Sequence, residues 1–202
     1  MPSTFLYLIR HGRVVGGETR RFVGHLDVPL SPEGEAEITA LALRLAGVRL
    51  AAVYSSDLAR ARRSAELVAA PHGLVPRIEP ALREMAMGRW EGLTAEEIQL
   101  REPGAFSDWM SRIGEFGFPE GESLPDLLAR CWPVVERLVD AHAGERVAIV
   151  AHGGTNRAIL CRALGLPLER LLMLGQDYGA VSLLEWDGRR WFLHLLNDTG
   201  TG

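Results

Sequence analysis

Two apolar runs in this chain each end on a histidine followed by glycine, and this repetition constrains the fold more than any other feature. The first run ends as LYLIRHG, with His11 directly after it, and a later one ends as VAIVAHGG, with His152 in the matching position. Short apolar runs that lead into helical patterns are typical of buried strands in a parallel sheet. Because ligands bind beyond the carboxyl ends of such strands, we expect both imidazoles at one edge of a single sheet.

Strand and helix patterns alternate along the chain. The predicted strands span residues 5–9, 50–54, 147–150, 180–186 and 191–196. The last two are joined across Asp187 and Gly188, which is a strong hairpin signal. This alternation predicts an α/β protein, a three-layer α/β/α sandwich with a mostly parallel central sheet.

The predicted helices begin at residues that are typical of helix ends. Ser31 and Pro32 supply the N-cap and the first residue of one helix, and Gly47 is predicted to close it. Ser56 or Asp57 is predicted to cap a second helix that ends near residue 69. The third helix is expected directly after the second His-Gly junction.

The segment from about residue 93 to residue 143 is predicted to be a mostly helical cap, inserted into a single domain that spans residues 1–202. Pro133 predicts a kink or a break in its last helix. The aromatic residues of the segment are Phe106, Trp109, Phe116 and Phe118. They either line a pocket for the organic part of a ligand or pack inside the cap, and packing is the more common outcome.

Composition limits the classes of binding partner and the cellular compartment that we expect. A formal net charge of −4 gives no reason to expect nucleic acid or an anionic membrane as a partner. No apolar run is long enough to cross a membrane and the N-terminus lacks a signal peptide, so we expect a soluble, cytoplasmic protein. Cys131 and Cys161 lie in apolar helical patterns, which predicts two buried free thiols rather than a disulfide.

Positively charged side chains near the strand ends form a candidate phosphate site. Arg10 follows the first strand, and Arg60 lies one helical turn beyond the predicted cap of the second helix. With a protonated His152, their donors would match the non-bridging oxygens of a phosphate. One histidine at a strand end is more often a hydrogen-bonded core residue, but two such junctions favour a site. Glu84 is by default a solvated loop acid, and spacing alone does not select it.

These residues lie in sequence blocks that resemble the histidine phosphatase superfamily, which includes phosphoglycerate mutase and alpha-ribazole phosphatase. The blocks are LIRHG, GHLDVPLSPEG, SSDLARARRSAE, LREMAMGRWEG, PEGES and IVAHGG, in the order of the family. The resemblance implies a phosphoglycerate mutase-like fold, with His11 as nucleophile and Glu84 as proton donor. It further implies a phosphate pocket of Arg10, Arg60 and His152, with no metal and no other cofactor.

The implied reaction is hydrolysis of a small phosphate monoester through a phosphohistidine. One nitrogen of His11 must then be unprotonated, so we expect the other to donate to a fixed partner such as a backbone carbonyl near Gly12. His152 is expected to favour its charged form, because it would face phosphate oxygens.

Several alternatives to this reaction stay open. The blocks GRWEGLTAEEI and QDYGAVSLLEW look most like alpha-ribazole phosphatase and broad-specificity phosphatases, but a phosphoglycerate mutase shares the same chemistry. A non-catalytic phosphate-binding module would share the positively charged site. A metal hydrolase built on His11, His25 and His152 is disfavoured by the wide spacing of these histidines. A homodimer is one open oligomeric state.

One departure from the family concerns the loop after RHG. Relatives commonly carry an Asn there that touches phosphate, whereas this chain continues as RVVGG. The candidates to replace that contact are Arg13, Arg20, Arg21 and the backbone amides of Gly16 and Gly17. The departure bears on phosphate affinity or on the choice of substrate.

Overall fold

A computed structural model describes residues 2–200 as a six-stranded sheet with helices on both faces. The strands are β1 (Thr4–Arg10), β2 (Ala52–Ser55), β3 (Arg77–Ile78), β4 (Arg146–Ala151), β5 (Val181–Trp186) and β6 (Trp191–Asp198). Their order across the sheet is β3-β2-β4-β1-β5-β6. The strands β1 to β4 are parallel, and β5 runs antiparallel to both β1 and β6. The mostly parallel sheet and the C-terminal hairpin are therefore confirmed.

The helices form the two outer layers. Their bounds are α1 (Pro32–Leu45), α2 (Ala59–Ala69), α3 (Ala95–Arg101), α4 (Ala105–Ser111), α5 (Leu124–Ala141) and α6 (Gly153–Leu164). On one face of the sheet, α1 and α2 bury Ile38 and Val68 against Ile9. On the other face, α5 and α6 pack with Leu6 and Leu8, because successive β1 side chains point to opposite faces. The predicted three-layer arrangement follows from these two cores.

Two of the predicted helix ends are wrong. Ser31 does cap α1, since its hydroxyl accepts the N–H of Gly34 at 3.2 Å. However, α1 ends at Leu45 with Ala46 as C-cap, and Gly47 is not among the glycines with positive φ, so it does not form a left-handed helix cap. Gly47 therefore does not close the helix.

The N-cap of α2 also differs from the prediction. Neither Ser56 nor Asp57 caps α2; the N-cap residue is Leu58, which has no side-chain acceptor to offer. The carboxylate of Asp27 accepts the N–H of Ala59 at 2.7 Å instead. A residue from a distant loop thus accepts a backbone N–H that would otherwise be unpaired in the first turn of α2. The local sequence does not reveal such a partner.

The helix α5 belongs to the core rather than to a cap. It runs through Pro133 without a break. Its buried face includes Leu127, Cys131 and Leu138, which lie in the same cluster as the β1 side chains. The predicted cap over residues 93–143 is thus too long, because its last helix carries an apolar stripe that the sheet covers.

The aromatic residues of the 93–143 segment pack together, as favoured from the sequence. Phe118 is buried, and its ring meets Trp90 edge to face with centroids 5.2 Å apart. Phe106 and Trp109 contact each other and Phe22 in similar geometry. The rings of Phe106, Trp109 and Phe118 therefore stabilise the segment by packing.

Both cysteines are buried free thiols, as predicted. Burial raises the pKa of the Cys131 thiol to about 12, so this group is inert at neutral pH. Among the described residues, no helix has the length and apolar character needed to cross a membrane.

Candidate active site

The carboxyl ends of the parallel strands bring the two histidines together. Arg10, the last residue of β1, is in register with Ala151 of β4. His11 and His152 follow these residues, and their ring centroids lie 5.1 Å apart at an interplanar angle of 61°. A cleft of about 250 Å³, called the main cleft here, opens beside them. Its lining includes Arg10, His11, Arg60, Glu84 and Tyr178.

His11 is held as a neutral imidazole with a defined tautomer. Its Nδ1 lies 2.7 Å from the carbonyl oxygen of Gly12. Since a carbonyl only accepts, Nδ1 carries the hydrogen and Nε2 keeps its lone pair. Burial, followed by the charges of Arg10 and Arg60, lowers the pKa of His11 well below its usual value. The predicted hydrogen bond near Gly12 is confirmed, and it leaves Nε2 free.

The glycine after His11 is needed for a close approach of two backbone segments. A Cβ atom at position 12 would come within 2.3 Å of the carbonyl oxygen of Gly34, in the first turn of α1. The N–H of Gly12 also donates to the Ser64 hydroxyl at 3.2 Å. These contacts with α1 and α2 fix the carbonyl that orients His11.

The protonation state of His152 differs from the one predicted from the sequence. Its Nε2 lies 2.7 Å from the Ser56 hydroxyl, and the residue is completely buried at the start of α6. Burial, and then electrostatic interactions with His11, Arg60 and Arg10, lower the pKa of His152 well below its usual value. The expected charged form is therefore wrong for the free protein, because the site is buried and already positive.

The two site arginines are positioned by carbonyl groups and not by acids. Arg10 donates to the carbonyl of Gln176 at 2.5 Å, and its guanidinium lies 3.9 Å over the ring centre of Tyr178. Arg60 is buried and donates to the carbonyls of Leu26 and Gly24 at 2.7 and 2.6 Å. Neither arginine forms an ion pair with any described residue. Both therefore present fixed positive charge to the cleft.

Two buried polar atoms of the site are left without a hydrogen-bond partner in the described part of the chain. They are Nε of Arg10 and Nδ1 of His152. Buried polar atoms without a partner are costly unless a ligand or water satisfies them; Nε of Arg10 is a donor, and Nδ1 of His152 becomes one when the ring is protonated. Their position beside His11 matches the need of a tetrahedral oxyanion for several donors.

Glu84 lies against the N-terminus of α6. Its carboxylate accepts backbone N–H groups from Met85 and Gly154 at 2.9 Å and from Thr155 at 3.1 Å. Amides at a helix N-terminus favour negative charge, so this carboxylate is firmly placed in the wall of the main cleft. The structure thus brings Glu84 to the site that spacing alone did not indicate.

The loop that carries Glu84 is held by residues that the sequence analysis missed. Arg130 of α5 donates to the carbonyls of Ala81, Arg83 and Glu84 at 2.7–2.9 Å. The Glu122 carboxylate accepts two further bonds from Arg130, at 2.6 and 2.8 Å. Arg130 is a charged residue on a helix whose other face is apolar, which is the only sequence signal that could have indicated it.

The candidates to replace the family Asn differ in whether they line the main cleft. Arg13 pairs with Glu37 and does not line the main cleft, and the Gly17 amide is bonded to the carbonyl of Val14. Arg20 and Arg21 both line the main cleft. Arg21 is bound to the carboxylate of Glu97.

No group of three His, Cys, Asp or Glu side chains is arranged to hold a metal ion within residues 2–200. His25, the third histidine of the metal-hydrolase alternative, instead donates through Nε2 to the carbonyl of Glu84 at 2.7 Å. This hydrogen bond also helps to fix the position of the Glu84 loop.

The fold and these strand-end histidines are those of the histidine phosphatase superfamily. The sequence profile described as "Histidine phosphatase superfamily (branch 1)" matches residues 6–199, and the chain belongs to this family. Its curated relatives include "Phosphoglycerate mutase-like protein 4" from Arabidopsis thaliana, 32% identical over 96% of this chain and 84% of that protein. "Phosphoserine phosphatase 1" from Hydrogenobacter thermophilus is 30% identical over 96% of this chain and 92% of that protein.

Solved structures show the same fold. A putative alpha-ribazole-5'-P phosphatase from Escherichia coli superposes with a TM-score of 0.90 at 27% identity, over 98% of both chains. A mycobacterial glucosyl-3-phosphoglycerate phosphatase has a TM-score of 0.84 at 32% identity, over 96% of this chain and 98% of that chain. The relatives thus include both phosphatases and mutase-like proteins.

Proposed function

We propose that this protein hydrolyses small phosphate monoesters through a phosphohistidine on Nε2 of His11. One observation carries the proposal: the Nδ1 bond to Gly12 leaves Nε2 unprotonated on a neutral ring that lines the main cleft. A nucleophile needs that lone pair, and a binding site does not. The fixed charges of Arg10 and Arg60 supply the counterpart for the phosphoryl oxygens.

In the first step, Nε2 of His11 attacks phosphorus and the bond to the ester oxygen breaks. Glu84 enters this step as the carboxylic acid and gives its proton to that oxygen as it leaves. Arg10 and Arg60 stabilise the equatorial oxygens, and because backbone carbonyls already hold them, little reorganisation is needed during the reaction. A phosphate dianion beside His152 favours its charged form, which reverses the effect of burial in the free protein.

In the second step, water attacks phosphorus and the P–N bond breaks. The Glu84 carboxylate takes a proton from this water, so that inorganic phosphate leaves and the free imidazole of His11 is regenerated. Two arginines and one imidazolium supply the positive charge that a metal ion supplies in other phosphatases, so the proposed reaction requires no metal.

Several small phosphate monoesters are candidate substrates. Alpha-ribazole phosphate is one candidate, supported by the blocks of sequence that resemble its phosphatase and by the similar fold of the Escherichia coli protein. Phosphoserine and glucosyl-3-phosphoglycerate are candidates through the relatives named after them. A cytoplasmic location and a small-molecule partner remain part of the proposal.

Phosphoglycerate mutase activity is a second candidate, because the Arabidopsis relative carries that description. The two reactions share the phosphohistidine. They differ in whether a second hydroxyl or water accepts the phosphoryl group. Inorganic phosphate as the product of 3-phosphoglycerate supports hydrolysis, whereas 2-phosphoglycerate supports the mutase.

The deciding experiment traps the intermediate. After mixing with a labelled phosphate monoester and rapid quenching, we expect acid-labile, base-stable label on the wild-type protein and on His194→Ala, and none on His11→Ala. His194 is the matched control because it lies on the exposed strand β6, paired with Glu185. Near wild-type turnover by His11→Ala would refute the proposed nucleophile.

Two further arms separate the alternatives. A phosphate-binding module would bind the ester with neither label nor turnover. A metal hydrolase would lose turnover after exhaustive chelation, whereas the proposed enzyme keeps it.

A further inference from the structure

A second cleft of about 520 Å³ adjoins the main cleft, and it is called the side cleft here. The two share six lining residues, which are Val14, Arg20, Arg21, Phe22, Val23 and Tyr178. The ring of Tyr178 lies 5.6 Å from that of His11 and extends from the reacting centre to the side cleft. An ester whose phosphoryl group is at His11 can therefore extend into the side cleft.

The side cleft is apolar along one wall. Beyond the shared residues, its lining includes Val15, Leu26 and Val28, and the side chains of Val15 and Leu26 are exposed. None of its lining residues is acidic. The surface therefore fits the carbon skeleton of a leaving group and offers nothing to a cationic one.

Arg20 is the cation of the side cleft that has no acidic partner. Arg21 donates to Glu97 and to the carbonyl of Gly92, so its charge is compensated. The Arg20 side chain forms neither an ion pair nor a hydrogen bond with residues 2–200. Its φ of +50°, just after the 3₁₀ turn Gly17–Thr19, is a conformation that residues other than glycine rarely adopt.

Arg10 and Arg60 line the main cleft and not the side cleft. These two arginines belong to the phosphoryl end of the site. Arg20 lines the part of the main cleft that continues into the side cleft, where the organic part of the ester would lie. Its position suits an anion on the leaving group better than an oxygen of the transferred phosphate.

We propose that the side cleft receives the leaving group and that Arg20 binds an anionic substituent on it, such as a carboxylate. This inference rests on the proposed phosphatase function and adds a substrate class: phosphate monoesters whose alcohol carries a second negative charge. A guanidinium matches a carboxylate with two parallel N–H···O bonds, which an ammonium or an amide cannot provide.

The test compares esters that differ only in the anionic substituent. One pair is 3-phosphoglycerate and glycerol 3-phosphate, and the other is O-phosphoserine and O-phosphoethanolamine. For each pair, kcat/KM is measured for wild type, Arg20→Gln, Arg20→Lys and Arg62→Gln.

Arg62 is the matched control because it is exposed on α2, lines neither cleft and lacks a side-chain partner in the described residues. Every ester is also assayed as a competitive inhibitor of p-nitrophenyl phosphate hydrolysis, so that slow substrates still report affinity.

Wild type and Arg62→Gln are expected to prefer the carboxylate ester of each pair. In Arg20→Gln this preference falls by about tenfold, the size of one charged hydrogen bond, and Arg20→Lys recovers only part of it. An unchanged preference in Arg20→Gln, or the absence of any preference in wild type, would overturn the inference. Failure of the phosphatase proposal looks different, since the wild type would then hydrolyse no ester, p-nitrophenyl phosphate included.

Discussion

The Glu84 carboxylate accepts the backbone N–H of Gly154 at 2.9 Å, although 70 residues separate them in the chain. A Cβ atom at position 154 would lie 2.5 Å from Oε1 of the same carboxylate. The second glycine of the AHGG junction therefore leaves room for the Glu84 carboxylate. It does so at the first turn of α6, where backbone amides are available.

The first prediction concerns this close approach. Gly154→Ala should push the Glu84 carboxylate out of place and lower kcat for alkyl phosphates by about 10- to 100-fold, because proton transfer depends on geometry. Gly47→Ala is the control, since a Cβ atom there meets nothing within 4 Å. Steady-state kinetics of both variants on one alkyl ester test it. Unchanged kcat in Gly154→Ala would mean that Glu84 tolerates displacement and is not the donor.

The second prediction tests the role of Glu84 itself. Glu84→Gln should slow hydrolysis of alkyl phosphates by about 10²- to 10⁴-fold but affect p-nitrophenyl phosphate far less, since an acidic phenol leaves without a proton. Glu96→Gln, on the outside of α3, is the matched control. Equal slowing of both classes of ester would count against proton donation.

The third prediction concerns the support of the Glu84 loop. Arg130→Lys keeps the charge but cannot span three carbonyls and the Glu122 carboxylate, so the loop should lose its fixed position. We expect kcat for alkyl phosphates to fall about tenfold with little change in KM, and a smaller effect on p-nitrophenyl phosphate.

The control for this variant lies on the same helix. Arg137→Lys alters an exposed arginine of α5 that pairs with Glu79 and donates to none of the carbonyls that Arg130 holds. Because loss of stability alone would slow all esters equally, the difference between the two ester classes identifies a positioning role for Arg130. If Arg130→Lys slows both classes to the same extent, its role is structural only.

The residues that follow parallel strands could be predicted from the sequence. Arg10 ends β1, His11 follows it, and His152 follows β4, and strand ends in parallel register must meet at one edge. The apolar runs that precede them are long enough to be recognised as buried strands. Local pattern and global fold agree at these positions, which is why the prediction succeeded.

Tyr178 was missed because it comes before a strand and not after one. β5 is antiparallel to β1, so its first residue lies at the edge where the parallel strands end. The segment just before β5 therefore joins the site, and Tyr178 reaches Arg10 and His11. A rule that also considered the starts of antiparallel strands would have found it.

Ser56 and Asp57 were assigned to a helix cap because both residue types favour that position. In the structure, long-range partners compete successfully: Ser56 bonds to His152, and Asp57 bonds to Arg83. Neither partner is close in sequence, so local propensity could not anticipate the outcome. The error falls at a functional site, where tertiary contacts override local preference.

The fourth prediction follows from the lowered pKa values of His11 and His152. Both imidazoles are neutral when buried in the native state, whereas in the unfolded chain they bind protons below about pH 6.5. Below that pH the unfolded state holds more protons, so the free energy of unfolding must fall as pH decreases and level off above it. Each histidine contributes a slope of about 0.7 kcal/mol per pH unit at pH 6.5, which approaches about 1.4 kcal/mol per pH unit near pH 5.5 and below. Urea unfolding between pH 5.5 and 7.5 measures the slope, and His11→Asn should reduce it by that amount; an identical slope in the variant would show that His11 is protonated in the native protein.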